Sequence, residues 1–125
     1  MIRISINYSL FILFLFIGCN NICETDIDKL ITSKSAKNVV KGYYIIGECN
    51  LESYVKQIFE NIDDSRISHE YKFYGISVYQ SKVIALKKIS GLNPPNKITN
   101  EVDKTVVEFY LNWAKKKSLL PDFHD

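Results

Sequence analysis

The chain has 125 residues, of which 46% are hydrophobic and 24% are charged, and this composition excludes wholesale disorder. Lysine and arginine number 16 and aspartate and glutamate number 14, so the formal net charge is only +2. Such a balance gives no electrostatic reason to expect a nucleic-acid partner, and none is predicted.

An apolar segment opens the chain and predicts export. Arg3 and the amino terminus supply positive charge, and an uninterrupted apolar run follows at residues 10–17. This run covers about eight residues, whereas a helix needs about 20 to cross the hydrocarbon core of a bilayer. The segment therefore favours a cleaved signal sequence over a permanent membrane span.

Residues 15–19 read LFIGC and resemble a lipobox, the processing site of bacterial lipoproteins. In that family an apolar pair and a small residue precede an obligatory cysteine, and Phe16 here replaces the usual leucine. The resemblance implies that residues 1–18 form a signal peptide that is removed, and that the sulfur of Cys19 receives a diacylglycerol. The alternative interpretation is that Cys19 only ends an apolar helix.

The lipobox resemblance also implies a location. One acyl chain binds a bilayer only marginally, with a partition constant of about 10⁴ M⁻¹, but two or three chains on one cysteine give stable attachment. Cys19 would therefore anchor the protein to the bacterial cell envelope, so the membrane is its first predicted partner. Asn20, which follows the cysteine, favours the outer membrane with the protein facing the periplasm.

The three cysteines form an odd set for an oxidising compartment, but acylation of Cys19 would leave an even one. Cys23 and Cys49 are then predicted either to close one disulfide loop or to remain two free thiols. A disulfide across a loop of this length would stabilise a small domain by roughly 3 kcal/mol, because it restricts the unfolded chain. Separation in sequence alone does not show that the two Cα atoms come within the roughly 7 Å that a disulfide requires.

The chain beyond the lipobox is predicted to be all-α. Residues 19–25 should form a short polar tether, and residues 26–125 should form one small helical domain. The clearest helix is predicted at residues 51–62, which carry a complete apolar stripe at helical spacing, with Asn50 placed to cap its start.

Two segments fit more than one secondary structure. Residues 35–48 favour a helix, although the β-branched and aromatic side chains between 39 and 46 are also typical of a buried strand. Near residues 70–75 apolar and polar side chains alternate, which fits either a short strand or an early start of the following helix.

Two more helices are predicted in the second half of the chain. Residues 78–90 form the first, and Gly91 followed by Leu92 is typical of a Schellman motif, in which the glycine turns left-handed and the next apolar residue packs back. The last helix is predicted from about Asn100 to about Lys117, with its lysine run at the negative end of the helix dipole.

These two helices, with their apolar spacing, terminal glycine and tryptophan, resemble the helical hairpins of HEAT-type repeat proteins over residues 79–119. The resemblance implies two such hairpins after the signal peptide. A small helical bundle fits the chain equally well, because a solenoid normally needs three or more repeats.

The sequence lacks the common patterns of catalytic and metal sites. It contains no glycine-rich phosphate loop and no CxxC pair, and neither a catalytic residue, a metal ligand nor a cofactor is predicted. Residues 61–72 fail as a calcium loop because Arg66 occupies the position that requires glycine. Cys49 and His69 are the minimum set for a thiol nucleophile, so the alternative hypothesis is a small periplasmic hydrolase acting on cell-wall or lipid material.

The aromatic residues give the last functional indication. Most of the eight tyrosines and seven phenylalanines are expected to fill the core, but Tyr71 and Tyr74 lie beside Gly75 and are expected to be exposed. Tyrosine is favoured at protein interfaces. The sequence therefore predicts a lipid-anchored envelope protein that binds a protein partner of unknown identity, either as an immunity-type inhibitor of an envelope-targeted toxin or as an assembly factor.

Overall fold

The computed structural model describes residues 21–121, and this part of the chain contains α-helices and no β-strand. Its five α-helices are α1 (Ile27–Ile31), α2 (Ala36–Glu48), α3 (Val55–Phe59), α4 (Val78–Ser90) and α5 (Lys104–Lys116). Short 3-10 turns are formed by Ile22–Glu24, Glu52–Tyr54 and Tyr71–Phe73. The predicted all-α fold class, a small helical bundle, is confirmed.

The two long helices α2 and α4 pack along each other at the centre of the bundle and run in the same direction. Tyr43 contacts Lys82, and about one and a half turns later in both helices Glu48 forms an ion pair with Lys88. Because parallel neighbours need a long connection, residues 49–77 pass over the bundle between them, and this connection contains α3 and a long irregular loop.

Two glycines on the buried side of α2 allow its neighbours to approach closely. A Cβ atom on Gly47 would lie 3.1 Å from the Cα atom of Ala85 in α4. A Cβ atom on Gly42 would lie 2.6 Å from a methyl carbon of Ile31 in α1. The segment thus forms a helix rather than the alternative strand, despite its two glycines and β-branched residues, because tertiary packing overrides weak helix propensity.

One hydrophobic core joins all five helices. It includes two buried tyrosines whose hydroxyl groups both form hydrogen bonds with the backbone. The Tyr79 hydroxyl accepts a hydrogen bond from the Asp103 N–H at 3.0 Å, and the Tyr110 hydroxyl donates to the Leu92 carbonyl at 2.9 Å. These bonds place the start of α5 beside the start of α4, so the segment between the two helices doubles back along α4.

The helix predicted at residues 51–62 is shorter in the structure. The α-helix covers only Val55–Phe59, and Asn50, the predicted cap, lies outside it with a φ of 51°. Asn50 instead ends α2 in a Schellman motif, because the Leu51 N–H donates to the Ile46 carbonyl. Asparagine tolerates the left-handed conformation better than most residues, so it serves here where glycine is usual.

The ends of α4 and α5 also differ in part from the predictions. Gly91 ends α4 with a left-handed φ of 69°, as predicted, but Leu92 is 42% exposed and does not pack back, so the Schellman assignment is wrong. The last helix begins at Lys104 rather than near Asn100. Asp103 is its N-cap, and the carboxylate accepts hydrogen bonds from the first turn of the helix.

Candidate functional site

The predicted lipidation site Cys19 lies outside the described residues, but the other two cysteines are both described. Cys23 and Cys49 are joined by a disulfide with a Cα–Cα distance of 5.8 Å. Cys49 directly follows α2 and Cys23 lies in the turn Ile22–Glu24, so the bridge attaches the amino-terminal segment to the end of the central helix. The segment predicted as a tether is therefore crosslinked to the domain at Cys23.

The disulfide removes the nucleophile of the hydrolase hypothesis. The sulfur of Cys49 is bonded to Cys23, so in this form it offers no thiolate for His69 to activate. Within residues 21–121, no three histidine, cysteine, aspartate or glutamate side chains are grouped so that they could hold a metal ion. None of the helices in the same range is both long enough and apolar enough to cross a membrane.

Residues 67–77, which we call the aromatic loop, present large side chains to solvent. Tyr71 is 100% exposed and Tyr74 is 73% exposed, and Ile67 at the start of the loop is also exposed. The ring of His69 lies edge-on to that of Tyr74, with 6.2 Å between their centroids. Several exposed apolar groups on one loop are typical of an interaction surface, whereas single ones are common on any protein.

The short strand that was one of two alternatives near residues 70–75 does not form. Tyr71–Phe73 forms a 3-10 turn, and Gly75 has a left-handed φ of 77° that interrupts any extended run. The alternation in the sequence is not matched by alternating burial, because Tyr71, Lys72 and Tyr74 are all exposed and only Phe73 enters the core. The alternative, an early start of the next helix, does not occur either, because Ser77 caps α4 by accepting from the Gln80 N–H.

The base of the aromatic loop is fixed although its tip is exposed. The N–H of the buried Ser68 donates to the Ile76 carbonyl at 2.9 Å, and the Gly75 N–H donates to the Ser68 carbonyl at 3.0 Å. Phe73 is buried, and its ring packs on that of Tyr44 in α2 with 5.3 Å between centroids. Tyr71 and Tyr74 are thus exposed on a loop whose backbone is fixed by contacts with the core.

Asn100 fastens the other side of the aromatic loop. Its amide nitrogen donates to the Gly75 carbonyl, and its amide oxygen accepts from the Ser77 N–H at 2.8 Å. One side chain therefore satisfies both a backbone acceptor and a backbone donor of the loop. This role of Asn100 was not predictable from the sequence, because an asparagine ahead of a helical pattern indicates a helix start and not a contact with a distant loop.

Lysine side chains collect beside the aromatic loop around Tyr44. The Nζ atoms of Lys72 and Lys88 lie 5.3 and 5.0 Å from the centroid of the Tyr44 ring, within the range of cation–π interactions. Lys88 also pairs with the Glu48 carboxylate. Two lysines therefore lie against the Tyr44 ring beside the aromatic loop, one of them paired with Glu48.

A groove of about 770 Å³ opens beside Lys88, between α4 and the segment that follows it. We call it the lysine groove. Three lysines line it, Lys87, Lys88 and Lys97, together with apolar side chains that include Ile84, Pro95 and Ile98. No aspartate or glutamate is among the lining residues. The groove was not predictable from the sequence, because it exists only where the segment after α4 folds back along the helix.

Lys82 forms a separate, buried feature under α3. The residue is 3% exposed, and its Nζ atom donates to the carbonyls of Glu60 and Asn61 at 2.6 and 3.1 Å. The same atom lies 5.1 Å from the centroid of the Tyr43 ring. Burial lowers the pKa of Lys82 to about 8. Since its hydrogen bonds go to backbone carbonyls that follow α3, this lysine caps the carboxyl end of that helix.

Comparison of the chain with family models, with curated proteins and with solved structures finds no match in any of the three. No relative therefore supplies a catalytic residue or a ligand. A function has to be inferred from the aromatic loop, the disulfide and the predicted lipid anchor.

Proposed function

We propose that this protein is a lipid-anchored component of the bacterial envelope that binds another protein through the aromatic loop, without catalysing a reaction. The supporting observation is the exposure of Tyr71 and Tyr74 on a loop whose base is fixed. Tyrosine contributes a large contact area with few rotatable bonds, which is why it is frequent at the centres of protein interfaces.

The fixed base of the loop favours binding energetically. Association costs free energy for every segment that must be ordered, and a loop that is ordered beforehand avoids most of that cost. Ser68, Phe73 and Asn100 hold the aromatic loop from three sides. On binding, Tyr71 and Tyr74 would therefore lose only the freedom of their own side chains.

The disulfide supports a location outside the cytoplasm, because disulfides persist in oxidising compartments such as the periplasm. It also supports the lipobox interpretation, since the pairing of Cys23 with Cys49 leaves Cys19 as the unpaired third cysteine. Asn20 favours the outer membrane. A partner would then be a protein of the envelope, which fits both an immunity-type inhibitor and an assembly factor.

The anchor is tested by the replacement Cys19→Ser. In the wild type we expect mass spectrometry to find an amino terminus that begins at Cys19 and carries lipid, and fractionation to place the protein with the membranes. Cys19→Ser should remain uncut and unmodified, because processing requires the cysteine sulfur. Cys23→Ser is the matched control and should still be lipidated. An uncut, unmodified amino terminus in the wild type would contradict the proposed lipid anchor.

The binding surface is tested by Tyr71→Ala and Tyr74→Ala. We expect each change to weaken capture of an envelope partner by about 30-fold, the effect of losing roughly 2 kcal/mol at an interface hot spot. The unfolding midpoint should not change, because both side chains are exposed. Binding is measured by pull-down from solubilised native envelopes followed by titration of the recovered protein.

Val102→Ala is the matched control for the tyrosine variants, since Val102 is also an exposed apolar residue but lies outside the aromatic loop. It should bind like the wild type. Recovery of no partner by the wild type, or equal capture by the wild type and the double tyrosine variant, counts against the proposed function.

A further inference from the structure

The lysine groove indicates the chemistry of the partner. We propose that it receives an extended, acidic segment of the protein partner whose remaining surface contacts the aromatic loop. This inference rests on the proposed function, because it describes a second part of the same binding surface. It adds a sequence requirement for the partner: the bound segment carries aspartate or glutamate side chains interspersed with apolar ones.

The charge distribution of the molecule favours an acidic ligand here. Residues 80–121 contain eight lysines against three aspartate and glutamate residues, although the whole chain is nearly neutral. Three of these lysines line the groove without an acidic side chain among the lining residues. Within residues 21–121, neither Lys87 nor Lys97 has an ion-pair partner, whereas Lys88 pairs with Glu48. Carboxylates of a ligand would therefore meet positive charge that the described part of the chain does not neutralise.

The shape of the groove favours a peptide over a diffuse counter-ion. Its volume of about 770 Å³ falls within the range of roughly 300–1,000 Å³ that is usual for ligand sites. Ile84 on α4 and Ile98 on the segment that folds back after α4, which we call the returning segment, form the apolar wall between the lysines. Pro95 stiffens that segment, because its ring restricts the backbone. Apolar wall and lysines together match a segment with alternating apolar and acidic side chains.

The lysine groove and the aromatic loop have neighbouring residues in common on two borders. Lys88 lines the groove and also lies over the Tyr44 ring, on which Phe73 of the aromatic loop packs. On the other border, Asn100 follows the returning segment and bonds to Gly75 of the aromatic loop. The groove therefore lies beside the base of the aromatic loop, which is why both are assigned to one partner.

The test uses the detergent-solubilised full-length protein and a display library of random dodecapeptides. We expect the wild type to select peptides enriched in aspartate and glutamate. The double variant Lys87→Gln and Lys97→Gln should bind the selected peptides about tenfold more weakly, the effect of losing two partly exposed ion pairs. The matched control, Lys115→Gln with Lys116→Gln, removes the same charge from exposed positions outside the groove and should bind like the wild type.

Three outcomes would overturn the inference. The first is selection of peptides without acidic enrichment, and the second is equal weakening by both double variants, which would indicate non-specific charge attraction. The third is that phosphatidylglycerol vesicles, rather than peptides, bind in a manner that needs Lys87 and Lys97. The inference and the proposed function fail separately: if the groove variant captures the envelope partner normally while Tyr71→Ala does not, the proposed function stands and the inference falls.

Discussion

The double replacement Cys23→Ser and Cys49→Ser is expected to lower the free energy of unfolding by about 3 kcal/mol, which is a large share of the stability of a small domain. The bridge joins residues separated by 26 positions, so its removal returns the conformational entropy of that loop to the unfolded chain. Urea unfolding followed by circular dichroism, at constant pH and with the slope of the transition compared, measures the change.

The native fold should survive this replacement. Cys23 lies in the turn Ile22–Glu24, which buries no residue, and Cys49, just beyond the end of α2, is only partly buried against the core, so the replacement removes no fully buried side chain. Below the transition, the far-ultraviolet spectrum of the variant should match that of the wild type. A reductant should destabilise the wild type and leave the double variant unchanged. A wild type that is insensitive to reductant, or a variant of equal stability, would contradict the prediction.

The bridge also bears on where the proposed binding surface would work. Ile22 lines a cavity of about 240 Å³ together with Lys72 and Phe73, so the bridged segment borders the aromatic loop. If Cys19 carries the lipid, only three residues separate it from Cys23, a reach of about 14 Å at full extension. The lipid anchor would then hold the aromatic loop close to the bilayer, where it could meet a partner that acts at the membrane surface.

The long helices were predictable because their sequence pattern and their packing agree. Residues 78–90 were predicted as a helix and form α4, and Gly91 ends it in the left-handed conformation that favours glycine. Residues 35–48 were favoured as a helix and form α2 as Ala36–Glu48. In both segments the apolar residues recur at helical spacing on the face that the core buries, so local and tertiary preferences point to the same structure.

The connection between the long helices was predictable only in part. The apolar stripe of residues 51–62 is real, but Asn50 and Asn61 take left-handed conformations that confine the α-helix to Val55–Phe59. The alternating pattern near residues 70–75 did not predict the structure of the aromatic loop, because its course is set by Phe73 in the core and by Asn100 from a distant segment. Contacts between residues far apart in the chain leave no periodic signal in the sequence.

Only part of the candidate site was predictable from the sequence. The exposure of Tyr71 and Tyr74 was predicted from their position beside Gly75. The lysine groove could not be predicted, since Lys87 and Lys97 become neighbours of one cavity only when the segment after α4 folds back. The burial of Lys82 was equally hidden, because a lysine inside a helical pattern normally indicates the solvated face.

Lys82 makes the stability of the protein depend on pH in the alkaline range. Its pKa falls from the ordinary value of 10.5 to about 8, because burial outweighs the attraction of Asp64, Asp63 and Glu60. Between these two pH values the unfolded chain binds a proton that the folded protein has lost, so raising the pH favours the folded state. We expect the free energy of unfolding to rise from pH 8 to pH 10, by up to about 2 kcal/mol for this shift.

Two buried tyrosines should reverse the rise above pH 10. Burial raises the pKa of Tyr43 and of Tyr110 to about 12, so in that range the folded protein keeps protons that the unfolded chain has lost, and stability falls. Urea unfolding at intervals from pH 7 to pH 11 should therefore show a maximum near pH 10. Lys82→Met should abolish the rise between pH 8 and 10, whereas Lys87→Met, at an exposed position of the same helix, should retain it. A wild-type stability that is flat or falling between pH 8 and 10 would show that Lys82 keeps its proton in the folded protein.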